Sequence, residues 1–72
     1  MTRLPALKPK KLIAVLERQG FVFHRQKGSH RIYVKGASMI VVPFHAKDLK
    51  RGTLAKIIED AGLTEDEFKD LL

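Results

Sequence analysis

Two short glycine-bearing links, Lys27-Gly28-Ser29-His30 and Lys35-Gly36-Ala37, separate three β-prone runs. Links this short join strands that lie side by side and antiparallel, so they predict a three-stranded meander. The first run, Phe21 to Gln26, alternates, with Phe21 and Phe23 on one face and Val22 and His24 on the other. In the second, His30 to Val34, Ile32 and Val34 share one face with His30, and Arg31 and Tyr33 share the other. The third, Met39-Ile40-Val41-Val42, is rich in β-branched residues and closed by Pro43. The apolar pair Ile32 and Val34 is expected to face the core, which sends Arg31 and Tyr33 to an open face. His30 then stays accessible only at the strand's first position, past the edge of the covering helices.

Helical patterns flank the meander. Residues Met1 to Lys8 read as a short arm. Pro9 suits a first helical turn, Leu12, Ile13, Val15 and Leu16 form an apolar stripe, and Gly20 is a left-handed cap with Phe21 just beyond. This predicts a helix over Pro9 to Gln19. Gly52-Thr53 opens a second helix, with Thr53 as candidate N-cap, Leu54, Ile57, Ile58 and Ala61 as its stripe and Gly62 as its end. Thr64 and Glu67 have capping-box spacing and start a third, short helix with Phe68, Leu71 and Leu72 on its apolar side. The whole, 1–72, is expected to be one α+β domain of order α-β-β-β-α plus a short C-terminal helix. So few helices cover only one face of the antiparallel sheet, which is the layout of a double-stranded-RNA-binding domain.

The chain carries fourteen Lys and Arg against eight Asp and Glu. Only Glu17 and Asp48 precede Glu59, so the positive excess is concentrated before the acidic tail. That asymmetry suits an anionic partner, nucleic acid foremost, at the hairpin and first helix. The chain has no cysteine, hence no disulfide and no thiolate metal site. The three histidines have no ligand spacing within one element, so no metal or cofactor is expected. No apolar run is long enough to cross a bilayer and the start lacks the apolar segment of a signal peptide. A soluble cytoplasmic protein without membrane association is expected.

Within this frame the candidate site is Lys27-Gly28-Ser29-His30-Arg31. Gly28 permits a backbone conformation barred to other residues, and Ser29 adds a small hydroxyl and an accessible N–H. His30 can exchange a proton near neutral pH, and Lys27 and Arg31 bracket it with positive charge. Spacing alone fits a plain hairpin turn with a surface histidine at least as well. His45, after Pro43, is a candidate RNA contact or a structural residue, and His24 reads as an ordinary strand residue. Tyr33 is a candidate to stack on a base. Lys10, Lys11, Lys50 and Arg51 are candidates to track phosphates, though singly each reads as a solvated charge.

Three motifs together resemble the HicA-type toxins, small ribonucleases of toxin–antitoxin pairs. Gly28-Ser29-His30 is similar to that family's Gly-Ser-His before the second strand. Val42-Pro43-Phe44-His45 is similar to its Val-Pro-x-His, and Leu49-Lys50-Arg51-Gly52-Thr53-Leu54 to its Leu-Lys-x-Gly-Thr-Leu. The resemblance implies a dsRNA-binding-like fold, metal-independent mRNA cleavage with the Gly-Ser-His histidine essential, and inhibition by a HicB-like antitoxin. A non-catalytic RNA-binding module of the same fold is the alternative. A protein-interaction domain that binds only an acidic partner is a third possibility.

Overall fold

Proline at a helix start gives up no hydrogen bond, and Pro9 opens the first helix of the computed structural model, which describes residues 4–72. This helix, α1 (Pro9–Arg18), buries Leu12, Ile13, Val15 and Leu16 as the stripe predicts. Gly20, at φ 98°, takes the left-handed conformation that ends it. The Gly20 N–H donates to the Glu17 carbonyl and the Phe21 N–H to the Leu16 carbonyl, each at 3.0 Å. The same paired bonds, from Gly62 to Glu59 and from Leu63 to Ile58, close the second long helix.

The sheet is the expected antiparallel meander, in order β1 (Val22–Lys27), β2 (His30–Lys35), β3 (Ser38–Pro43). Both links are two-residue turns with glycine first, Gly28 at φ 59° and Gly36 at φ 56°; no other residue type has positive φ among those described. That is the type II′ pattern, whose twist matches the flanking strands.

The facing of β2 is the reverse of the sequence expectation. Tyr33 is 2% exposed and belongs to the core with Ile40 and Val42, beneath both long helices. Arg31 shares its side. His30, Ile32 and Val34 occupy the open face instead, in ranks with Lys27 and Pro43, Arg25 and Val41, and Val22 and Met39. The physical reason is volume. Every strand carries apolar residues on both faces, and the helices settle on the side where Tyr33, the largest of the fully buried side chains, meets Ile40. Ile32 is buried too, but outside the core cluster. In β1 the register shifts between Phe23 and Arg25, leaving His24 as an extra, bulged residue. Arg25, not His24, therefore continues the open face that Val22 begins.

The second long helix, α2 (Arg51–Asp60), starts earlier than predicted. Lys50 is its N-cap with no side-chain cap, and Thr53 lies inside the first turn, half-buried. The short helix α3 (Glu65–Asp70) has the full capping box: Glu67 N–H to Thr64 Oγ1 at 3.1 Å and Thr64 N–H to Glu67 Oε1 at 2.9 Å. Phe68 is fully buried in the common core, and the Arg18 guanidinium donates to the Leu71 carbonyl. The described part of the arm also packs onto the fold. Leu4 and Leu7 are buried, and the Leu49 N–H donates to the Leu7 carbonyl at 2.7 Å. The start of that arm, residues 1–3, lies outside the described residues. Among the described residues no helix is long and apolar enough to cross a membrane.

Because Phe68 joins the single core, Phe68→Ala should destabilise the whole domain by about 3–5 kcal/mol, the usual cost of emptying a buried phenylalanine site. Urea unfolding followed by circular dichroism checks this. A loss no larger than that of a surface substitution, about 0.5 kcal/mol, would put α3 outside the cooperative unit.

Candidate active site at the first hairpin

Gly28 and Ser29 form the turn, and Lys27 and His30 face each other as its closing pair. A Cβ at Gly28 would meet nothing within 4 Å, so the demand for glycine there comes from the positive φ rather than from lack of space. Antiparallel pairing then sets His30 opposite Pro43. One step beyond, the Phe44 N–H donates to the Ser29 carbonyl at 2.6 Å. Two motifs far apart in sequence, Gly28-Ser29-His30 and Pro43-Phe44, are thus joined by backbone bonds.

The side chains on the helix side of the sheet brace the same turn. Gln26 Nε2 donates to the Gly28 carbonyl at 3.0 Å, and Gln26 Oε1 accepts from Arg31 Nε at 3.1 Å. The Arg31 guanidinium lies 3.8 Å from the Phe44 ring centroid and 5.9 Å from that of Phe23. Such stacking stabilises by about 0.5–1 kcal/mol at exposed sites and more where water is excluded. Arg31 therefore does not flank His30 as expected. It lies on the opposite side of the sheet and holds the turn from behind.

On the open face His30 is exposed and its side chain makes no hydrogen bond to the described protein groups. Its neighbours there are Lys27, directly across, and Arg25, one rank along. Both are exposed cations. Arg25 escapes the sequence reading because the bulge at His24 shifts the strand's alternation. Counting back from the turn in steps of two, from Lys27 to Arg25, finds it. The N–H groups of Gly28 and Ser29 find no acceptor among the described backbone carbonyls. They remain available to an oxygen anion.

The other expected residues are dispersed. Tyr33 is in the core, with its ring edge-to-face against Phe23 at 5.8 Å between centroids, and offers no face to a base on the open side. His45 is exposed and follows Phe44 without a hydrogen bond of its own. Lys10 lines a cleft with Arg31 and Phe44, whereas Lys11 lines a different one beside Leu7 and Arg18. Lys50 and Arg51 start α2, and Arg51 borders Leu4 and Leu49. Among the described residues no three His, Cys, Asp or Glu side chains converge as metal ligands.

The family model described as the HicA toxin of bacterial toxin–antitoxin systems matches residues 9–63. The chain belongs to the HicA toxin family. It is accordingly the toxin half of a toxin–antitoxin pairing. The match starts with Pro9 at the head of α1 and ends with Leu63, just past the glycine that closes α2. The hairpin, the sheet and both long helices of this HicA toxin fall inside it, while Leu4, Leu7 and α3 fall outside. No curated protein matches the chain.

Replacing Arg31 with Ala removes both the stack on Phe44 and the bond to Gln26. We expect hydrogen exchange at the Phe44 amide to speed up about tenfold, which corresponds to about 1.4 kcal/mol of lost local protection. Amides of α1 and α2 should change far less. Uniform acceleration through the whole chain would mean that Arg31 supports the fold in general and not the turn.

Proposed function

We propose that this HicA toxin is an endoribonuclease that cleaves mRNA at the first hairpin, with His30 as its essential catalytic residue. The observation that carries this reading is the placement of His30: exposed, first in β2, fixed opposite Pro43, and flanked on its own face by Lys27 and Arg25. In the reaction the ribose 2′-oxygen loses its proton and bonds to phosphorus. The bond from phosphorus to the 5′-oxygen breaks, and that oxygen gains a proton. His30 carries one of these two proton transfers and water the other. A positioned acid or base contributes about a hundred- to ten-thousand-fold. Lys27, Arg25 and the free N–H groups of Gly28 and Ser29 stabilise the charge that builds on the phosphorus oxygens. The cleavage is proposed to need no metal: His30 and water move the protons, and the cations and turn N–H groups meet the charge.

The antitoxin partner, a HicB-like protein, is proposed to cover this same face. Cations at one end attract an acidic partner and speed its association. Val22, Met39 and Val41 continue the face as exposed apolar surface that a protein partner can bury. A chain seated there bars RNA from His30 by occupying its ground. Hydrogen exchange of the complex should show protection at Lys27 to Arg31. Protection confined to α3 and its flanks would reject the steric model.

His30→Ala should abolish RNA cleavage and growth inhibition while leaving the circular dichroism spectrum and melting temperature unchanged. Wild-type cleavage should survive EDTA. Full cleavage by a folded His30→Ala protein would falsify the catalytic role. Salt-dependent RNA binding by a wild-type protein that cuts nothing would make the domain an RNA-binding module instead. Binding itself should weaken with salt. Replacing Lys27 and Arg25 with Ala should lower the slope of log affinity against log salt by about 0.7 for each phosphate that is no longer neutralised.

A further inference from the structure

Behind the hairpin, on the side of the sheet opposite His30, a cleft of about 490 Å³ opens between α1 and the sheet. Its volume is in the range of small-ligand pockets, about 300–1,000 Å³. Lys10, Glu17, Arg31, Tyr33 and Phe44 line it. Three features single it out. Arg31 is held in place by its Nε bond to Gln26 and its stack on Phe44, yet its two terminal amino groups have no partner among the described residues. Glu17 is the only acid in the chain before Asp48, and it too is exposed and unpaired. The two opposite charges line one cleft without forming an ion pair with each other.

A fixed donor fork and a free carboxylate around one cleft, with aromatic surface beside them, fit a planar ligand that offers acceptors on one edge and two donors on another. We propose that this cleft is a subsite for a guanine base of the RNA. Arginine is the usual partner of the guanine O6 and N7 acceptors. Guanine also carries two adjacent donors, N1–H and N2–H, on its Watson–Crick edge, and a carboxylate accepts both. Adenine, uracil and cytosine each set an acceptor beside a single donor group on that edge, so none gives the carboxylate two adjacent donors. Phe44, whose ring carries the Arg31 guanidinium at 3.8 Å, supplies an apolar border of the cleft. Lys10 gives a cation for a flanking phosphate. Phe44 ties the two sites together, because its N–H holds the Ser29 carbonyl of the catalytic turn while its ring lines the cleft. RNA that wraps the end of the sheet places a base in the cleft and a nearby phosphodiester at His30.

The inference rests on the ribonuclease reading, and its test separates the two. Guanosine, adenosine, cytidine and uridine 5′-monophosphates are titrated into the protein and followed by amide chemical shifts. In parallel, oligoribonucleotides with one central G, A, C or U in an otherwise constant sequence are assayed for kcat/KM. The expected result is that guanosine monophosphate alone shifts Ala14, Glu17 and Phe44. The oligonucleotide with G should be preferred by about tenfold, near the low end for one bidentate base contact. Glu17→Ala should bring that preference close to one and abolish the shifts, while Glu59→Ala, on the exposed side of α2, should keep both. Shifts that do not distinguish the four nucleotides, or a preference unchanged by Glu17→Ala, overturn the guanine subsite. Guanosine-specific shifts in a protein that cuts no RNA uphold the subsite and overturn the ribonuclease reading.

Discussion

The burial of Tyr33 against Ile40 governs the rest of this molecule. Successive strand residues point to opposite faces, so placing one residue in the core places all its neighbours. With Tyr33 inside, Arg31 must share the helix side, and His30, Ile32 and Val34 must face outward. The long helices meet the sheet on the Tyr33 side, and their apolar stripes, with Phe21 and Phe68, complete the core. A reversed sheet would keep every hydrogen bond of the meander but would pull His30 beneath the helices and expose Tyr33. The position of the histidine in this HicA toxin is therefore a consequence of core packing.

The hairpin then works as a two-sided device. On the open side it offers His30, two cations and unpaired turn N–H groups. On the helix side Gln26, Arg31 and Phe44 fasten the turn through a hydrogen-bond pair and a cation–π stack. The bond from Phe44 to Ser29 welds the end of β3 to the turn. Bracing from behind fixes the turn before any ligand arrives, which is the usual basis of preorganised chemistry. It also explains why an arginine next to the histidine in sequence is absent from its face.

Much of the fold was legible in local signals. Glycine at the two links, glycine at both helix ends and the Thr64–Glu67 box each act through backbone chemistry within a few residues, and each appears where the pattern placed it. The failures share a different cause. His24 gives no local sign of being bulged, yet the bulge hands its place on the open face to Arg25. Thr53 has the chemistry of an N-cap, but the helix begins before it at Arg51. The residues before Pro9 read only as a short arm, and nothing local shows that Leu4 and Leu7 are drawn into the core, where Leu7 is tied to Leu49.

The candidate site divides along the same line. From the sequence alone came the meander, its two glycine turns, the histidine that closes the first of them, and the basic character of that half of the chain. These follow from local conformational preference and from composition. Which face His30 occupies, which cations accompany it, that Phe44 reaches back to Ser29, and that Glu17 and Arg31 line one cleft were decided only in the tertiary structure. Both faces of β2 and β3 are apolar enough to be buried, so alternation could not choose between them. The choice came from the summed volume of residues on three strands and three helices, a quantity that no single stretch of sequence contains.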